Sequence, residues 1–151
     1  MTPDKTIRRI ETICAKREQC TFELRLKLRR SKFTNAEIDK IIADLVEKNF
    51  VNDLRFAKAF VSDSLRFSRW GERKIVAALK SKRIPDAYIR EAMETISPEV
   101  VESNLLALLY NKAKTIPDAF TYEGRTKLFR YAVSRGYTPS LVSKVIQENF
   151  V

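Results

Sequence analysis

Nucleophilic and acid-base chemistry needs side chains that this chain scarcely has. No histidine occurs among its 151 residues, so the commonest general base is missing, and with it the Ser-His and Cys-His pairs that activate a nucleophile. Its two cysteines, Cys14 and Cys20, are too few for a disulfide framework. Without histidine they also lack the usual partners for zinc, and both are read as packing residues. Asp and Glu fall mainly at expected helix starts and exposed positions. The residue types therefore point to a binding protein, with no catalytic group, metal or cofactor expected.

What the sequence offers instead is positive charge. Lys and Arg number 29 against 19 Asp and Glu, a net charge of +10. Residues 1–50 carry 12 basic and 8 acidic side chains, residues 51–90 carry 10 and 4, and residues 91–151 carry 7 and 7. A field concentrated on the middle segment attracts a polyanion or an acidic protein surface. The candidates for such contact are Arg55, Lys58, Arg66, Arg69, Arg73, Lys74, Lys80, Lys82 and Arg83. The competing explanation is a solvated face, and Lys80 and Lys82 also suit the negative end of a helix. Arg25, Arg29 and Lys32 form a further stripe that surface solubility explains equally well. Trp70 is read as a plug between stacked units in preference to an anchor or a base platform.

The elements that position these residues follow from a repeat. Copies begin at Leu24, Ile75 and Leu128. Four residues on stand Leu28, Leu79 and Ala132; nine on, Phe33, Ile84 and Tyr137; fourteen on, Ile38, Ile89 and Val142. Seventeen and eighteen on come Ile41-Ile42, Ala92-Met93 and Val145-Ile146. Steps of three and four belong to helices, whereas a strand would repeat every two. Each copy is a helix, a short turn and a helix. With only 3 glycines and 5 prolines, the expected fold is all-α. Counting the helix ahead of each pair gives three units of three, residues 1–50, 51–97 and 98–151, stacked into an elongated, curved body.

Local signals mark the ends. Thr34-Asn35-Ala36-Glu37 fits a capping box. Asn49 tolerates the left-handed backbone beyond a helix, and Asn52 or Asp53 can cap the fourth helix, which runs to about Phe67. Ser97 before Pro98, and Thr138 before Pro139, are caps for the seventh and ninth helices. Residues 115–120 form the longest expected connector, with freedom to let the last pair shift. No apolar run approaches the ~20 residues of a membrane helix, and the N-terminal residues lack a leader's apolar stretch, so a cytoplasmic protein is expected.

The segment Asn49-Phe50-Val51-Asn52-Asp53-Leu54-Arg55-Phe56-Ala57 resembles the most recognisable segment of the RecX family, regulators of the RecA recombinase. Gly71-Glu72-Arg73-Lys74-Ile75, followed by Leu79 and Ile84, is similar to the family's second segment. Lys127-Leu128 with Arg135-Gly136-Tyr137 is similar to its C-terminal one. The resemblance implies three tandem three-helix units, and a modulator that lies in the groove of the RecA filament on single-stranded DNA. There it would limit filament growth, ATP hydrolysis and strand exchange, within DNA repair and the SOS response. Family members commonly place glycine in each paired-helix turn, where this chain has Lys32 and Arg83 and keeps only Gly136. Either those two turns take another geometry or they bear ~1–2 kcal/mol of left-handed strain.

Two other functions fit the same elements. A helix-turn-helix DNA reader would use the second helix of each pair, but Glu37, Asp39, Asp44, Glu91 and Glu94 would meet phosphates badly there. A helical scaffold that binds only protein leaves the middle charge unused.

Overall fold

The computed structural model describes residues 3–151, and among these there is no strand. Nine α-helices follow in order: α1 Pro3–Lys16, α2 Thr21–Arg30, α3 Asn35–Glu47, α4 Asp53–Asp63, α5 Glu72–Ser81, α6 Asp86–Met93, α7 Pro98–Ala113, α8 Tyr122–Ser134 and α9 Pro139–Asn149. The expected all-α fold is therefore present, with boundaries close to those that periodicity and caps suggest. A π-helical turn, Ser64–Ser68, continues α4, so the fourth helix reaches past Phe67 with a changed hydrogen-bond register.

The chain forms two compact units. One holds the residues up to Phe60 together with Leu79–Arg90; the other holds Val61–Ala78 together with Glu91–Val151. In the first, α2 packs on α3, and Ile10, Leu24, Leu28, Ile38, Ile42, Leu45 and Val51 form the core. In the second, α7, α8 and α9 pack on one another around Leu105, Leu109, Leu128, Tyr137, Val142, Val145 and Phe150. The repeated residues are the buried ones: Leu24, Ile75 and Leu128 are each fully buried, as are Leu28, Leu79 and Ala132. Of the whole set only Phe33, Ile41 and Met93 stay half-exposed.

The positions four and nine residues into each repeat have a specific job. After α2, the Phe33 N–H donates to the Leu28 carbonyl and the Lys32 N–H to Arg29. The same pair of bonds joins Ile84 to Leu79 and Arg83 to Lys80 after α5, and Tyr137 to Ala132 and Gly136 to Val133 after α8. This is the Schellman closure, whose two bonds satisfy carbonyls left free at a helix end while the flanking apolar side chains meet across the turn. It requires a left-handed residue. Lys32 (φ 64°), Arg83 (φ 58°) and Gly136 (φ 101°) supply it, and Asn49 (φ 64°) does the same after α3. The turns without glycine thus keep the glycine geometry and bear its strain.

At the helix starts, Thr34 and Glu37 form both halves of the capping box: the Glu37 N–H donates to Thr34 Oγ1 at 3.2 Å and the Thr34 N–H to Glu37 Oε1 at 2.9 Å. The Thr34 N–H, donating to its charged form, holds the Glu37 carboxyl below the usual carboxylate range. Ser97 and Thr138 occupy N-cap positions, but neither side chain caps its helix. Ser97 Oγ donates instead to Glu99 at 2.5 Å. A cap absent from the sequence reading is Thr121, which accepts from the Gly124 N–H at 3.1 Å and starts α8.

The connector before α8 is pinned down, contrary to the freedom expected of it. Ile116 and Ala119 are buried in the core of the second unit. A Cβ on Gly124 would stand 1.8 Å from the Asp118 carbonyl oxygen, so only glycine lets α8 approach this segment. Both cysteines are free and serve as packing: Cys20 is buried, which pushes its thiol up to about 11, and burial raises Cys14 as well. No helix of the described residues is long and apolar enough to cross a membrane.

Candidate functional site

The segment Asn49–Ala57 is first of all a joint inside the first unit. Asn52 caps α4, accepting from the Arg55 N–H at 2.9 Å. Asp53 turns to the start of α2, where its carboxylate accepts from the N–H of Thr21 at 2.9 Å and from its hydroxyl at 2.8 Å, meeting the positive helix end. Arg55 pairs with Glu18 at 2.6 Å. Its remaining donors reach the Asn49 side chain and the carbonyls of Asn49 and Phe50. Phe56 and Ala57 are buried. Of this motif, Arg55 is the one cation among the candidates, and its guanidinium is spent within the chain.

The other candidates fall into two places. In the first unit, Lys80, Lys82 and Arg83 surround the end of α5, and Lys58 is exposed on α4. Lys82 is half-buried, ion-paired with Glu23 and 6.0 Å from the Phe60 ring. Arg83 lies over Phe22 at 5.7 Å. Lys80 is exposed.

In the second unit, Arg66 in the π-helical turn, Arg69 just after it, and Arg73 and Lys74 in the first turn of α5 lie along one short stretch of chain, the connector that joins α4 to α5. Arg69 is left-handed (φ 51°), ending that turn so that the Trp70 N–H returns to the Ser64 carbonyl at 3.2 Å. Asn104 of α7 donates to the Leu65 carbonyl at 3.1 Å, satisfying a group the wider turn leaves free. Arg66, Arg69 and Arg73 are exposed, and none of the four cations forms an ion pair with a described residue. The Lys74 ammonium stands 4.8 Å over the half-buried Trp70 ring, and the Arg66 guanidinium 5.2 Å from Phe67.

What holds the connector was not legible from spacing. The α8–α9 turn grips it by its backbone: the Gly71 N–H donates to the Arg135 carbonyl at 2.8 Å, and the Arg73 N–H to Gly136 at 3.0 Å. The Tyr137 hydroxyl donates to the Arg69 carbonyl at 2.7 Å. A Cβ on Gly71 would lie 2.2 Å from the Gly136 carbonyl carbon, and one on Gly136 would lie 2.5 Å from Lys74 Cβ. Two glycines thus let two backbones touch. Burial of the Tyr137 ring pushes its phenol up to about 12, which keeps the hydroxyl a donor. The segments Gly71–Ile75 and Arg135–Tyr137, separate in sequence, therefore make one site. The signal available in the sequence was a glycine within two residues of an arginine in each.

This arrangement carries cations on a backbone fixed at both ends, suited to binding an anionic chain or surface. Comparison with known proteins places the chain. Regulatory protein RecX of Pasteurella multocida is 33% identical over 129 residues, covering 84% of this chain and 77% of that protein. The chain belongs to the RecX family. The regulatory protein RecX of Clostridium beijerinckii is likewise 33% identical over 129 residues, covering 83% of this chain but 59% of the longer clostridial protein. The family model described as RecX, second three-helix domain, matches residues 52–93. The crystal structure of RecX from Lactobacillus salivarius superposes with a TM-score of 0.82 over 96% of this chain and 94% of that one, at 20% identity. Another RecX crystal structure gives 0.85 over 95% of this chain and 71% of that one, at 16% identity. The fold is that of the RecX structures.

Proposed function

We propose that this RecX-family chain is a non-enzymatic regulator of the RecA recombinase. It binds in the groove of the RecA filament on single-stranded DNA and limits filament extension, ATP hydrolysis and strand exchange. Family membership supports the regulatory role. The observation that carries the contact is the gripped connector, where Arg66, Arg69, Arg73 and Lys74 stand without carboxylate partners among the described residues. Unpaired guanidinium groups on a rigid backbone lose little entropy on meeting phosphates or carboxylates. Lys58, Lys80 and Arg83, exposed on the first unit, add to that contact. Lys82, already paired with Glu23, contributes less, and Arg55, spent on Glu18 and Asn49, serves the fold and not the contact. The three-by-three division of the helices is part of the same proposal, each triplet being one unit of a tandem array.

The test is a titration of RecA with this protein during DNA-dependent ATP hydrolysis. Substoichiometric amounts slow hydrolysis, while affinity for bare DNA stays modest and falls steeply with salt. Strong sequence-selective duplex binding with no effect on RecA would favour a DNA reader instead.

A further inference from the structure

We infer that the connector binds single-stranded nucleic acid directly, with Phe67 as the platform on which an unpaired base stacks. The inference rests on the connector being the partner-facing site and names the ligand it meets. Phe67 is 74% exposed, the one exposed large hydrophobic side chain of Val61–Ala78. A lone exposed ring is ordinary, but this one has particular neighbours.

It sits in the π-helical turn, and that turn ends on Arg69, a side-chain-bearing residue in left-handed backbone. Both are costly local geometries of the kind kept where they aim a side chain. The turn is held from outside by Asn104 on Leu65 and by Tyr137 on the Arg69 carbonyl, so the ring is presented on a fixed base. Arg66, 5.2 Å from the ring, leads a set with Arg69 and Arg73 that is exposed and without ion pairs among the described residues.

An exposed aromatic ring with one unpaired guanidinium beside it and two more on the same short stretch of chain matches a polymer whose units alternate a flat base with a phosphate. A protein pocket that took Phe67 would call for apolar neighbours around it, and the residues beside it are Arg66, Ser68 and Arg69. Duplex DNA keeps its bases stacked inside, so the ligand is single-stranded. Trp70, half-buried under Lys74, is the reporter three residues away and not the platform.

The experiment follows the emission of Trp70, the chain's only tryptophan, while the whole protein is titrated with a short oligothymidylate or with an abasic deoxyribose-phosphate oligomer of equal length, RecA being absent. The oligothymidylate binds about tenfold more tightly than the abasic oligomer, the stacking of a single base. Phe67→Ala removes that preference, Phe67→Tyr retains it, and neither alters the salt slope, because the charge is unchanged. Equal affinity for the two polymers, no binding of either, or a preference that survives Phe67→Ala would overturn the inference. If Phe67→Ala instead weakens only binding to RecA, the ring belongs to a protein contact. Slowing of RecA's ATP hydrolysis by the wild-type chain, measured separately, would leave the regulatory reading standing in every one of these cases.

Discussion

At the scale of single residues, the left-handed positions separate two kinds of turn. Lys32 and Arg83 are exposed, and a side chain there costs only the left-handed strain of ~1–2 kcal/mol. Glycine would remove that strain but add ~0.5–1 kcal/mol of unfolded-state freedom. Lys32→Gly should therefore raise stability by up to ~1 kcal/mol in urea denaturation, and Arg83→Gly by less, because it also removes the guanidinium from the Phe22 ring. Gly136 is different, because a Cβ there meets Lys74 as well as the φ of 101°. Gly136→Ala should cost ~2–5 kcal/mol, from strain and overpacking together, and Gly71→Ala ~1–3 kcal/mol, from overpacking alone. Tyr137 adds a pH signature. Burial pushes its folded phenol up to about 12, above the ordinary 10, so the folded state holds the proton more tightly. The stability this contributes is complete below about pH 10 and is lost as pH rises to about 12. Denaturation midpoints of wild type should fall faster over that interval than those of Tyr137→Phe; parallel curves would contradict the buried donor.

At the scale of elements, what the sequence reveals depends on how far apart the interacting residues lie. The helices were legible because the repeat places Leu24, Leu28, Ile38 and Ile42, and their counterparts, at helical steps that become the buried faces. The Thr34 capping box was legible because its bonds span three residues; Thr34→Ala should cost ~1 kcal/mol in urea denaturation. The turn geometry at Lys32 and Arg83 was hidden, since a side chain there fits a left-handed residue or another turn equally well. The connector was hidden for a different reason: Gly71 meets Arg135, and Arg69 meets Tyr137, across more than sixty residues of chain. The local motif at Arg55 suggested a partner contact, but Glu18 and Asn49 claim its donors. Arg55→Ala should lower stability by ~1.5–3 kcal/mol, the range for hydrogen bonds to a charged group. The folded variant should bind the RecA filament as wild type does.

At the scale of the whole molecule, the net charge of +10 draws the protein to polyanions without distinguishing one from another. Discrimination has to come from cations that are placed and unpaired, and the gripped connector of the second unit is where we assign it. The most direct test of that assignment is the affinity of the triple variant Arg66→Glu/Arg69→Glu/Arg73→Glu for the RecA filament on single-stranded DNA. A control variant of equal net charge is made by reversing Arg29, Arg30 and Lys32, which are exposed at the end of α2. Circular dichroism verifies that both remain folded. The connector variant should lose filament binding by at least an order of magnitude more than the control, and with it the slowing of ATP hydrolysis. Equal losses in the two folded variants would reduce the interaction to net charge and contradict the site.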